Sequence, residues 1–141
     1  MYTHRTTHGK HISLHDCTLS KLKLKNGKVV FKFKDGINAL GERTEKAKVK
    51  LKLTPMETPV CYVYEVKKNK TVRKEWTLEK LKDKLEYGGY TLEFVECYEW
   101  KFGKTVHRIY CCSLHSDQKP YLLECELRLS ADKTVYKWQG E

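Results

Sequence analysis

"KLKLKNGKVVFKFKDG", residues 21–36, decides how this chain reads. Leu22 and Leu24 alternate with Lys21, Lys23 and Lys25, and Phe31 and Phe33 alternate with Lys32 and Lys34. Asn26-Gly27 stands between the runs. A two-residue type I′ turn needs positive φ at both central positions, which Asn and Gly tolerate best. With that loop length Leu24 faces Val29, Leu22 faces Phe31 and Ser20 faces Phe33. The register gathers the apolar side chains on one face and the lysines on the other, Val30 excepted. Turn chemistry and alternation specify the same hairpin.

Working outward, "KAKVKLKLT" (46–54) repeats the pattern, with Ala47, Val49, Leu51 and Leu53 opposed to Lys46, Lys48, Lys50 and Lys52. Pro55 and Pro59 then break strand pairing. "VCYVYEV" (60–66) is a continuous β-prone run suited to a more buried strand. "TLEKLKDKLEYGG" is the one helix, at about 78–87. Thr77 is its N-cap, Glu79 lies in its first turn, Leu78, Leu81 and Leu85 form a narrow apolar stripe, and Gly88-Gly89 ends it. The remainder is β again. In "FVECYEW" (94–100), Phe94, Tyr98 and Trp100 share a face and read as core, with an oligomeric interface as the alternative.

About eight strands and one short helix, with turn signals every eight to fourteen residues, predict a mainly β domain. The expected architecture is an antiparallel sandwich or half-open barrel. A doubly wound α/β fold is excluded by the lack of crossover helices. Residues 1–141 read as one domain of a size that buries a core without staples. The first ten residues are expected to be a loose arm unless a partner or the sheet holds them.

Nine Tyr, four Phe and three Trp argue against disorder. No apolar run reaches the length of a membrane span, and the start lacks the apolar core of a secretory signal. The cytoplasm is the expected location. Six cysteines, at 17, 61, 97, 111, 112 and 125, include no C-x-x-C pair. They read as reduced thiols, five of them packed in apolar stretches.

Residues 1–70 carry 16 Lys and Arg against 6 Asp and Glu, whereas residues 71–141 carry 12 of each. The whole net charge of +10 therefore belongs to the first half. Lys21, Lys23, Lys25, Lys32, Lys34, Lys48, Lys50 and Lys52 are the candidate binding face, if their strands are neighbours. Such asymmetry suits an acidic protein or sequence-nonspecific nucleic acid. The competing reading is a solvated face in which lysine discourages edge pairing. With 23 Lys to 5 Arg and no aromatics between the lysines, base-specific recognition is unsupported.

"HISLHDC" (11–17), read as a strand, puts His11, Ser13, His15 and Cys17 on one face. His11, His15 and Cys17 are the alternative metal set, with His107 or His115 to complete the shell. A Cys–His nucleophile is the catalytic version. On that strand Asp16 points away and cannot buttress His15. No Gly-rich phosphate loop opens a helix, so no cofactor is expected.

"LHDCTLSKLKLKNGKVVFKF" and "WTLEKLKDKLEYGGYTLEF" resemble segments of small, uncharacterised bacterial β-rich proteins, mostly from Gram-positive lineages. The resemblance spans roughly the first 35 residues and residues 76–94. It implies a domain of unknown function, in some cases encoded near toxin-immunity or mobile-element genes, and brings no catalytic residues. The expected function is a non-enzymatic binding or accessory module working through its basic face, with a metal or Cys–His site and a purely structural or oligomeric role as alternatives.

Overall fold

The computed structural model describes residues 1–55 and 57–140. Eight strands have five residues or more: β3 (Lys21–Lys25), β4 (Lys28–Phe33), β7 (Ala47–Leu53), β8 (Val60–Lys67), β9 (Lys70–Trp76), β10 (Tyr90–Phe102), β11 (Thr105–Ser116) and β12 (Leu122–Trp138). Four are short: β1 (His4–Thr6), β2 (Ile12–Ser13), β5 (Asn38–Ala39) and β6 (Glu42–Arg43). The single helix α1 covers Leu78–Glu86. The expected antiparallel, mainly β class is what is observed, and the sheets are not closed into a barrel.

The hairpin register is the one the Asn-Gly turn dictates: Leu24 pairs with Val29 and Leu22 with Phe31, while Asn26 and Gly27 hold φ of 47° and 75°. β12, 17 residues long, is the spine. Its first part (residues 122–131) lies between β11 and β8, and β10 and β9 complete a first layer. Its last part (residues 133–138) lies between β7 and β1, and β4 and β3 complete a second layer. The segment with Pro55 and Pro59 separates β7 from β8, as proline's missing donor requires. Ala131 and Thr134 are both buried, so the alternation along β12 slips by one residue between the layers.

The two layers face each other across an aromatic cluster. Phe31 and Phe33 of the second layer meet Phe94 and Tyr110 of the first, with Phe31–Phe94 centroids 5.3 Å apart and Phe31–Tyr110 5.7 Å apart in edge-to-face contact. Leu22, Val49, Leu51, Leu92, Leu114 and Leu127 surround it. Helix α1 begins where Thr77 accepts the Lys80 N–H at 3.1 Å and packs Leu78 and Leu81 against the core beside β3 and β10. The Thr18–Glu93 bridge and the bonds between Cys17, Leu19 and β10 lash the segment before β3 to the edge of the first layer.

Three expectations are corrected here. The N-terminal arm is held by the sheet: Arg5 pairs with Lys137, Thr3 N–H donates to Trp138, and His4 stacks on Trp138 at 5.3 Å. A β-bulge between Phe94 and Glu96 splits the aromatic stripe, leaving Phe94 in the core and turning Tyr98 and Trp100 outward, 55% and 52% exposed. All six thiols are free, yet Cys97 is exposed and Cys111 only half-buried.

Gly36 closes the turn after β4 at φ +85°, and a Cβ there would lie 2.1 Å from the Thr44 carbonyl oxygen. The backbone cannot yield, because Thr44 is itself bonded to Ile37. Gly36→Ala should therefore cost about 2–4 kcal/mol, read as a lowered denaturant midpoint at constant m-value, since strain at a positive φ and a backbone clash add.

Candidate functional site

The strand order β3-β4-β7-β12-β1 turns the alternating lysines into a grid on the outer face of the second layer. One row runs straight across five strands: Lys21, Lys32, Lys48, Lys137 and Arg5. The next holds Lys23, Val30, Lys50 and Val135. The third holds Lys25, Lys28, Lys52 and Lys133. Neighbouring strands stand about 4.8 Å apart and alternate residues about 7 Å apart, so eleven cations share one pleated surface.

Val30, the exception in the sequence pattern, sits opposite Lys23 and Lys50, and Lys50 in turn faces Val135. Both valines are only 8% exposed although they point outward. The lysine stems around them supply the cover, as long charged side chains do when their heads stay in water. Among the described residues none of the eleven cations forms an ion pair. Contact with Lys32 holds the Lys23 ammonium below the ordinary lysine range. Burial, then the neighbouring Lys50, Lys137 and Lys23, do the same to Lys48.

Seven of the eight lysines expected on this face are in the grid. Lys34 lies past β4, in the turn, where its N–H donates to Ser20 Oγ. Arg5, Lys28, Lys133 and Lys137 complete the grid. Lys28 is visible as part of the hairpin, but the other three depend on β12 and β1 joining this layer, which no local pattern announces.

The histidine-rich segment is not a strand throughout. After β2 the chain turns, and Asp16 adopts φ of 61°, which swings its carboxylate back to 3.2 Å from His15 Nε2. Asp16 therefore does buttress His15, contrary to the alternation argument. His15 Nδ1 meets the Val95 carbonyl, at the bulge of β10. Cys17 is buried with its sulfur 3.1 Å from Arg43 Nη1, and burial pushes its thiol pKa up. His11 is exposed. His11, His15 and Cys17 are thus not gathered around one point, and among the described residues no three His, Cys, Asp or Glu side chains converge as metal ligands. His107 lies elsewhere, 2.7 Å from Ser130 Oγ and stacked on Trp100, while His115 pairs with Thr91 and Leu122.

Fold and surface together define an open, two-layered antiparallel β protein with one strongly cationic outer face. No known family model, curated protein or solved structure matches the chain. Among the described residues no helix is long and apolar enough to cross a membrane.

Proposed function

We propose that the protein is a non-enzymatic binding module that docks an acidic protein surface on the outer face of its second layer. The observation that carries this reading is the grid of eleven cations without ion pairs, crowded enough to depress Lys23 and to add to the effect of burial on Lys48. A solvated face needs no such crowding, and interspersed acidic residues would relieve it at no structural cost. Lysine, rather than the arginine fork suited to phosphate, makes up ten of the eleven. One ring, Tyr2, lies beside Lys48 at 6.0 Å, too few for a run of stacked bases, so carboxylates fit the face better than nucleic-acid backbone or bases. The free thiols accord with the cytoplasm as its site of action.

The test uses two probes, polyglutamate and a random-sequence DNA duplex, titrated across ionic strength. Polyglutamate should bind, more tightly than the duplex at equal charge, and lose affinity steeply with salt. If about six lysines engage the duplex, its own affinity should fall about a thousandfold between about 50 and about 200 mM salt. Lys32→Glu/Lys48→Glu/Lys50→Glu should lose polyglutamate at unchanged thermal stability or better. A flat salt response with both probes would remove the lysines as the contact, and a clear preference for the duplex would reassign the partner to nucleic acid.

A further inference from the structure

A cavity of about 320 Å³ lies between the N-terminal hook (residues 9–15) and β10 beyond its bulge. Its floor is Arg108, Tyr110 and Tyr136, only 6%, 3% and 6% exposed, and its walls include Ile12, Leu14 and Phe94. The bulge creates this site. By shifting alternation one step, it turns Glu99 inward opposite Arg108 and Cys97 inward opposite Tyr110.

The floor has unspent polarity. Arg108 gives Nε to Glu99 at 3.1 Å and Nη1 to Thr134 at 2.9 Å. Among the described residues Nη2 and the Tyr110 hydroxyl have no hydrogen-bond partner within strict geometry, and the Tyr136 hydroxyl has only the adjacent Arg108 guanidinium to accept from, its own proton being free to donate. Yet no unpartnered side-chain N or O among the described residues is sealed from solvent, so these three groups open into the cavity. Buried polar groups ordinarily find partners, and three convergent ones await an acceptor.

We infer that this cavity binds a small organic monocarboxylate, its carboxylate on Arg108 Nη2 and the two tyrosine hydroxyls and its apolar body against Ile12, Leu14 and Phe94. A single negative charge is the most the site takes: Arg108 is ion-paired with Glu99, so its charge is already offset, the carboxylate is held by hydrogen bonds more than by net charge, and a dianion such as phosphate would be repelled more strongly. Glu96, at the rim, is held by the Tyr98 hydroxyl at 2.8 Å and leaves the guanidinium alone. The cavity does not act as a covalent trap: Cys97 is exposed as a residue, but the packing around its sulfur in the cavity wall desolvates the thiol and, with Glu99, pushes it up to about 11, so that it stays protonated at neutral pH.

The probe is hexanoate, with hexan-1-ol as its neutral counterpart of similar shape, followed by amide chemical shifts of the labelled full chain. Hexanoate should give saturable shifts at Val95, Glu96 and Leu14, and hexan-1-ol none. Tyr110→Phe/Tyr136→Phe keeps the rings that pack the core and removes only the hydroxyls. It should melt with the wild type and bind hexanoate about a hundredfold more weakly, about tenfold for each lost bond to a charged acceptor. Gly9→Ala, whose Cβ would stand 3.0 Å from the Tyr136 hydroxyl, should weaken binding from the opposite wall. Equal shifts with hexan-1-ol, unchanged affinity in the double Phe variant, or no saturable shift in the wild type would each overturn the assignment.

Discussion

Phe31→Ala is expected to cost about 3–5 kcal/mol, a large share of the 5–15 kcal/mol that holds a typical domain folded. Phe31 is fully buried and meets Phe33, Phe94 and Tyr110, so truncation empties a cavity in contact with both layers. The strands around it are fixed by backbone bonding and cannot close the void. Its neighbour Lys32 points the other way, and Lys32→Ala should be neutral or slightly stabilising. Urea denaturation of both variants reads the two faces of one strand. Equal losses would mean that β4 is not two-sided as described.

The second large effect runs against the usual dependence of a folded protein on salt. Seven like-charge pairs stand directly opposite one another in the grid, four along the row from Lys21 to Arg5 and three along the row from Lys25 to Lys133. Directly opposed like charges destabilise by about 0.2–1 kcal/mol each, so the face should cost the fold about 2–4 kcal/mol at low salt. Raising sodium chloride from about 10 to about 500 mM shortens the screening length severalfold and should recover most of this. For a domain of this size that is a melting rise of roughly 5–12 °C. No rise would mean that the ammonium groups are already spread apart in solution.

The same crowding, joined at Lys48 by burial, sets a pH dependence. Lys23 and Lys48 bind their protons less tightly folded than unfolded, because their folded pKa values lie below the ordinary 10.5. Their penalty is present in full at neutral pH and fades as pH climbs toward 10.5. Tyr110 and Tyr136 pull the other way. Burial holds both above the ordinary 10, so tyrosine ionisation favours the unfolded chain near and above that pH. The lysine effect is therefore read as a difference: the stabilising effect of Lys48→Gln should be greatest at pH 7 and shrink as pH approaches 10.

Where one local signal suffices, the fold is legible in the sequence. The hairpin is written twice over, in Asn26-Gly27 and in the alternation around it. The helix is likewise fixed by its cap, its stripe and Gly88-Gly89. The bulge at Val95 is not, because no glycine marks it. "FVECYEW" alternates as if straight, and the shift comes from the contacts that the segment before β3 and His15 make with β10. Asp16 escapes for a related reason: its positive φ is set by a bond from its N–H to Phe94, some eighty positions away. The basic face was half legible. Its lysines on β3, β4 and β7 follow from alternation, whereas Arg5, Lys133 and Lys137 arrive by strand order. The cavity was invisible, since Arg108, Tyr110 and Tyr136 acquire a common purpose only when the bulge turns Glu99 to meet them.

Every strand that pairs with β12 precedes it in the chain, and both layers have β12 within them. During synthesis, then, neither layer can be finished until this stretch leaves the ribosome. Until that moment β7, β8 and β11 hold open edges beside a lysine-rich nascent segment. Those charges repel other nascent copies at the very stage when unpaired edges invite aggregation. The face that strains the finished molecule is thus also a safeguard while it is being made.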